Sequence, residues 1–457
     1  MNLLIGITIL LVLMFSDAQS QPTSTSPNQN LAGVLVLAAI PMIAAAIQAF
    51  VVARLNTSNL SLKMDVKIAK ISTLLHSLLW MGCSLATILL FQWQLLIRNE
   101  WRLGNLVLID ELLILAPMLV SLIGSWIIQF ESQAELVPVE ERSKERWDYV
   151  LLRCRVYLLI VLVPIATIIA VKDLLPLFEQ INPAATAIIT VAVIVSLLCT
   201  MPLVIQVVWK NHPMRENDQK RSLLQLCRAH GLIVRDIRIW DTGLQMVNAL
   251  VAGVLPRFRI LMISDLLLDS FPDKELHAIL RHEAGHIRLK HLHTRIGFIL
   301  LPVFSLLAFE FDPNHSFHAN FAWLIHELLS IPVQPKLVLA FLFFGYMIAV
   351  TAWLSRKMEF EADLYSIGAL LRSGKVAPPI LSHSQSMSDA LLRFAEQNPD
   401  QFAKRSLTHP SLSDRLDWIK KANRSPDQIR KFQLIFTLQR WVLASSILIL
   451  TAVLLTY

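Results

Sequence analysis

Residues 282–286 read His-Glu-Ala-Gly-His, and the chain's most explicit chemistry lies in this run. Side chains four apart on an α-helix stand one above the other. A helix here therefore lets the His282 and His286 imidazoles converge on one metal ion. Glu283 projects beside the pair, where its carboxylate can take a proton from a metal-activated water as that water attacks a carbonyl. With 13 histidines and 16 glutamates in 457 residues, roughly 0.01 accidental HExxH runs are expected per chain. The run reads as a metal-hydrolase motif.

Two histidines and a water leave the ion one protein ligand short. A third histidine six residues beyond His286 is excluded, because positions 289 and 292 are both leucine. His291 and His293 fall five and seven residues past His286, off the metal face of a continued helix, and read as a solvated or interfacial cluster. The better candidate is Glu359, within Ser355-Arg356-Lys357-Met358-Glu359-Phe360-Glu361-Ala362-Asp363. Glu359 and Asp363 share a helical face. Glu359 can then ligate while Asp363 accepts the free ring N–H of a ligating histidine and sets its tautomer. The four cysteines form no CxxC pair and read as small buried side chains, so a metal site here must use histidine and carboxylate.

The elements that position these residues belong to a membrane protein. The chain is 55% hydrophobic and 16% charged, against about 25% charged for a soluble domain. That excludes a disordered chain, a collagen-like fibre or a nucleic-acid-binding tail. The net charge of +7 reads through membrane topology, and no nucleic-acid partner is expected. Runs that can span a bilayer fall at 31–53, 71–92, 112–130, 155–171, 184–208, 333–354 and 433–456, with shorter ones at 2–15 and 296–309. Eight or nine spans result. The first run is either a signal peptide, with Ala18 and Ser20 as its small-x-small site, or a retained span. Basic residues crowd 54–70, 142–155 and 210–221, whereas 17–30 and 310–332 hold none. Positive-inside asymmetry then puts 210–295 and 355–432 together in the cytoplasm.

The organisation read from this is a first span or signal peptide with linker (1–30), then an N-terminal multi-span region (31–209). Two catalytic halves (210–295 and 355–432) follow, joined by a transmembrane hairpin (296–354), and a C-terminal span (433–457) closes the chain. Within the halves the pattern predicts a helix at 219–230, strands near 235–241, 247–253 and 258–263, and a helix from about 273. A helix running on to about 371, a loop at 377–386 and helices near 388–397 and 411–423 come next. His76 reads as a hydrogen-bonded core histidine. Asp110-Glu111 and Lys172-Asp173 read as span-end charges, and Phe317, Phe321 and Trp323 as an interfacial belt.

His282-Glu283-Ala284-Gly285-His286, Ser355-Arg356-x-x-Glu359-x-x-Ala362-Asp363 and Thr408-His409-Pro410-Ser411 with Arg415 occur in that order. The set resembles the signatures of the integral-membrane zinc metallopeptidases that include the HtpX heat-shock proteases and the CAAX prenyl endopeptidases. The resemblance covers about 219–424. It implies a mainly α polytopic protein with a zincin-like (gluzincin) α+β catalytic domain at the membrane face. It also implies one Zn2+ held by His282, His286 and Glu359, with Glu283 as general base and Asp363 behind the ligands. Asn248 and Ala249 stand in the place of the family's edge-strand substrate motif. His409 and Arg415 would lie near the cleft, His409 as an oxyanion donor. The expected function is a zinc metalloendopeptidase acting on membrane-protein or peptide substrates, of the HtpX type in preference to prenylated-terminus processing. A signalling peptidase of the β-lactam-sensor type lacks its outer sensor domain here, and a silent scaffold does not explain Glu283. The expected location is the cell (inner) membrane, or an endoplasmic-reticulum-type membrane in a eukaryote.

Overall fold

An apolar run without breakers satisfies its backbone in lipid only as a helix. The computed structural model describes residues 2–18, 26–56, 62–104, 106–136, 146–174, 183–242, 247–253, 255–298, 335–371, 375–397, 402 and 405–456. Among these, five helices are long and apolar enough to cross a membrane: Pro27–Val51, Ile71–Leu89, Ile109–Phe130, Arg146–Val171 and Pro426–Ile449. They coincide with five of the runs read from sequence. The runs at 184–208 and 333–354 are helical too, within Pro183–Val208 and, from residue 335 on, Pro335–Ser366. The 296–309 run beyond residue 298, and residues 310–332, where an outer loop and an aromatic belt are expected, lie outside the described residues.

The chain divides into two units, Met1–Lys210 and Asn211–Tyr457. The first contains α1 (Asn2–Ala18), α2 (Pro27–Asn56), α3 (Leu62–Leu89) and α4 (Ile109–Leu136). Next come α5 (Arg146–Arg153), continuing through a π-helical turn into α6 (Ile160–Leu174), and α7 (Pro183–Val208). α1 packs on α3 and α4, and the unit's buried side chains include Ile5, Ile9, Trp80, Ile114 and Trp126. Pro117 has no N–H to give the Leu113 carbonyl one turn back. The Trp93 indole N–H donates to that carbonyl instead, at 2.9 Å. His76 is the expected core histidine, 3.1 Å from the Pro41 carbonyl. Asp110 and Glu111 are not snorkelling end charges. Both are buried, and Asp110 accepts from Arg98 at 2.8 Å.

The second unit contains β1 (Asn211–Pro213), α8 (Asp218–Ala229), β2 (Asp236–Trp240), β3 (Ala249–Ala252), β4 (Ile260–Ser264), α9 (Asp265–Ser270) and α10 (Asp273–Arg288). After these come α11 (Pro335–Ser366), α12 (Leu381–Gln397), α13 (Leu412–Arg424) and α14 (Pro426–Thr456). The sheet runs β1-β2-β4-β3. β2 and β4 are parallel, whereas β1 and β3 join antiparallel. The whole is mainly helical with a small mixed sheet. β4 is buried along its entire length, as an inner strand of aliphatic residues must be. One stripe of α10 (Leu276, Leu280, Ala284) shares a core with Ile237, Leu261 and Ile263 of the sheet. Its Ala278 belongs to a second core with Leu364, Leu391, Leu416 and Ile419. The HExxH helix is therefore held from both sides.

Three local expectations change. β1 was not foreseen, since three residues ending at a proline carry no period. The Glu359 helix stops at Ser366, not 371, because Gly368 adopts a φ of 77° and its N–H caps the Tyr365 carbonyl. The expected loop at 377–386 contains the start of α12 at Leu381. Pro378 and Pro379 end the extended segment, and past them nothing breaks a helix.

Candidate active site

Two helices carry the metal donors, and small residues let them meet. A Cβ on Gly285 would stand 3.1 Å from the Tyr365 Cβ and 3.2 Å from the Ala362 Cα, so α10 and α11 pack almost backbone to backbone there. Arg281, buried on α10, donates from Nε to the Ser366 carbonyl at 3.0 Å, satisfying the C-terminal end of α11. This contact sets the His282/His286 pair against Glu359.

The three side chains form one group whose ligand atoms lie within 4.8 Å of one another. His282 Nε2 and His286 Nε2 are 3.2 Å apart, and each is 3.5 Å from a Glu359 carboxylate oxygen. Two imidazole nitrogens and a carboxylate are the donor set of a catalytic zinc centre, so these residues fit the ion. Burial holds His286 well below the usual histidine range, which leaves its ring neutral and able to ligate. Burial favours a protonated Glu359, but hydrogen bonds from His282 and His409 outweigh it and hold the carboxyl well below normal. Burial and the Arg415 charge press His282 down, yet its bonds to Asp363 and Glu359 prevail and lift it to about 9. A metal bound here therefore competes with a proton.

Asp363, fully buried, accepts from His282 Nδ1 at 2.9 Å. Arg415, expected at the substrate cleft, has its guanidinium taken up on Asp363 instead, through Nε at 2.9 Å and Nη2 at 2.6 Å. It is thus a clamp on the group behind His282. The capping box at Ser411, whose hydroxyl accepts from Asp414 N–H, starts the helix that presents it. His409 precedes that cap, with a side chain 60% exposed and Nδ1 3.3 Å from Glu359 Oε1.

Glu283 is half-buried beside the pair. Burial above all, helped by the Glu359 charge, pushes its carboxyl up to about 7, against the opposing pull of His282 and the Val251 N–H. That N–H belongs to β3, the edge strand. Ser264 takes both backbone groups of Asn248: its N–H donates to the Asn248 carbonyl at 2.9 Å, and its hydroxyl accepts from Asn248 N–H at 2.9 Å. The Asn248 side chain stays exposed. Antiparallel alternation turns the Ala249 backbone groups to the open edge.

His291 contradicts its expected place. It is 1% exposed, and its Nδ1 lies 2.9 Å from His286 Nδ1. Helical spacing from His286 fails because Lys290, at a φ of 57°, interrupts the helix after α10. His293, by contrast, is exposed.

A His-His-Glu group buried at His282 and Glu359 and half-buried at His286, packed near an edge strand in a chain with five helices long and apolar enough to cross a membrane, is the site of a multi-pass membrane metallopeptidase. Residues 214–423, a little under half of the chain, match peptidase family M48, and over that segment the chain is similar to this family of metallopeptidases. It is 24% identical over 224 residues to Protease HtpX of Pseudomonas fluorescens (strain Pf0-1), a match covering 47% of this chain and 75% of that one. It is 22% identical over 228 residues to CAAX prenyl protease 1 of Saccharomyces cerevisiae, covering 45% of this chain and 48% of the yeast protein. The chain thus spans about half the length of that relative. The crystal structure of S. mikatae Ste24p aligns with a TM-score of 0.44 at 16% identity, over 88% of this chain and 100% of that one.

Proposed function

We propose that this protein is an integral-membrane zinc endopeptidase that cuts membrane-associated proteins at the cytoplasmic face, with damaged or unassembled membrane proteins as its substrates. The observation that carries the reading is that Glu283 follows His282 on α10, half-buried beside the His282-His286-Glu359 group, on the helix that packs against the edge strand β3. His282, His286 and Glu359 would hold one zinc ion. When bound, zinc supplies Lewis acidity toward a carbonyl and lowers the pKa of a water. Glu283 takes the water's proton and delivers it to the leaving amine. The Ala249 backbone and the Asn248 amide pair with an extended substrate strand, which cannot leave its own polar groups unpaired at the membrane surface. The exposed His409 ring reaches the carbonyl oxygen as negative charge develops on it. Arg415 holds Asp363 behind His282 and stands 3.7 Å from Glu359 Oε2.

The HtpX-type reading is favoured because that match spans three quarters of the relative and the yeast match about half. The yeast match supports a second reading, processing of a prenylated C-terminus. Loop charge supports a cytoplasmic site in a cell (inner) membrane, or an endoplasmic-reticulum-type membrane in a eukaryote. The test compares the membrane proteomes of cells expressing wild type or Glu283→Gln. Fragments of many membrane proteins, found only with wild type, support quality control. Cleavage confined to a prenylated reporter peptide selects the second reading, and no difference in either sinks both.

A further inference from the structure

The two histidines of the metal group are held from behind in different ways. Each presents Nε2 to the group, so each must carry its ring proton on Nδ1 to coordinate. For His282 that proton goes directly to a carboxylate, Asp363, which Arg415 clamps. For His286 the neighbour of Nδ1 is His291 Nδ1, at 2.9 Å. Two ring nitrogens at that distance need one donor and one acceptor. His291 must accept, and its own proton then sits on Nε2. That atom lies 3.1 Å from Glu361 Oε2, an acceptor. The other oxygen of Glu361 is 3.7 Å from Arg440 Nη2. Each tautomer is dictated by the next group outward.

His291 and Glu361 are 1% and 2% exposed, so their polar atoms need the partners they have. Glu361 stands two residues from Glu359, which puts it about 200° around α11, away from the donor group. Arg440 lies on α14, within the span-length stretch Pro426–Ile449, with its guanidinium 4.4 Å from the Phe436 ring centroid. An arginine inside such a stretch is expensive to keep and marks a function by default.

We propose that His291, Glu361 and Arg440 form a positioning relay for the ligand His286, which makes the C-terminal helix α14 part of the support of the metal site. Both ligating histidines then end on an arginine-held carboxylate, His282 through Asp363–Arg415 and His286 through His291 to Glu361–Arg440. The proposal rests on the reading of the His-His-Glu group as a zinc site.

The test uses the full chain in detergent and measures the zinc dissociation constant by chelator competition, alongside the visible absorption of the cobalt-substituted protein. His291→Phe and Glu361→Ala are expected to weaken zinc binding about 10–100-fold, and the double variant no further than the stronger single one, because the groups act in series. Glu361→Gln, which keeps shape and folding, weakens binding in the same direction. Arg440→Leu weakens binding and Arg440→Lys restores most of it, a rescue that a packing role does not give. The cobalt bands shift in the weakened variants while the thermal midpoint of the metal-free Glu361→Gln protein stays at the wild-type value. Zinc affinity within twofold of wild type for His291→Phe and Glu361→Gln, with His282→Ala abolishing binding, would overturn the relay and leave the zinc site standing. Wild type that binds no zinc would overturn both.

Discussion

Glu283→Gln keeps the side chain's shape and removes its capacity to take a proton. The variant should fold and retain zinc yet lose about 10²–10⁴ in rate, measured on a fluorogenic peptide in detergent; activity within a few-fold of wild type sinks the mechanism. Glu359→Gln removes the one anionic donor of the group, so metal stoichiometry at micromolar zinc should fall, and full occupancy would strike Glu359 from the ligands. Asp363→Ala is milder, about 10–100-fold in metal affinity or activity, and leaves Arg415 without its carboxylate. The lifted His282 adds a pH dependence. Zinc requires this ring deprotonated, so affinity measured by chelator competition should fall as pH drops below about 9, by up to about tenfold per unit for a single competing proton. Flat affinity across that range would show that His282 is not protonated when metal-free.

At the scale of elements, the site is a contact between two helices whose closeness depends on Gly285. Gly285→Ala adds one methyl against Tyr365 and Ala362, a crowding offset by better helix propensity, and should leave stability nearly unchanged. Gly285→Leu must push α10 from α11, costing about 1–3 kcal/mol and separating the histidines from Glu359. Chemical unfolding and zinc titration of the two variants measure this, and equal behaviour would remove close packing as the reason for glycine here. Ser411→Ala deletes the cap of α13 and should cost about 1 kcal/mol, with Ser411→Asp recovering most of it.

For the whole molecule, the proposed cytoplasmic placement of the site requires the hairpin over 296–354 to cross the membrane twice. Arg288, Lys290 and Arg295 precede it, 310–332 holds no Lys or Arg, and Arg356 and Lys357 follow. In a chain lacking its four native cysteines, His315→Cys should label only from outside intact cells. The exposed position of Glu396→Cys should label only after the inner face is opened. If both label from one side, the hairpin and the orientation of the active site must be redrawn.

The donor group was legible because its members obey a local rule. His282 and His286 are four apart on one helix, as are Glu359 and Asp363, and helical periodicity places each pair without knowledge of the rest. The apolar runs that became spans were legible for the same reason, since hydropathy is a property of contiguous residues. Where the rule stopped, so did the reading. Lys290 turns left-handed, and His291 thereby passes from an expected solvated position to a buried one behind His286. Arg415 stands near the motifs in sequence, but only the packing of α13 on α11 shows that its guanidinium grips Asp363. Arg440, 79 residues beyond Glu361 in the chain, reaches it only because α14 returns to α11. The sequence by itself determined which residues can bind a metal and which stretches must be helical, because spacing along one helix decides both. Tertiary structure alone decided which charges stand behind those ligands, because such partners come from distant segments and depend on helix interruptions that no periodicity encodes.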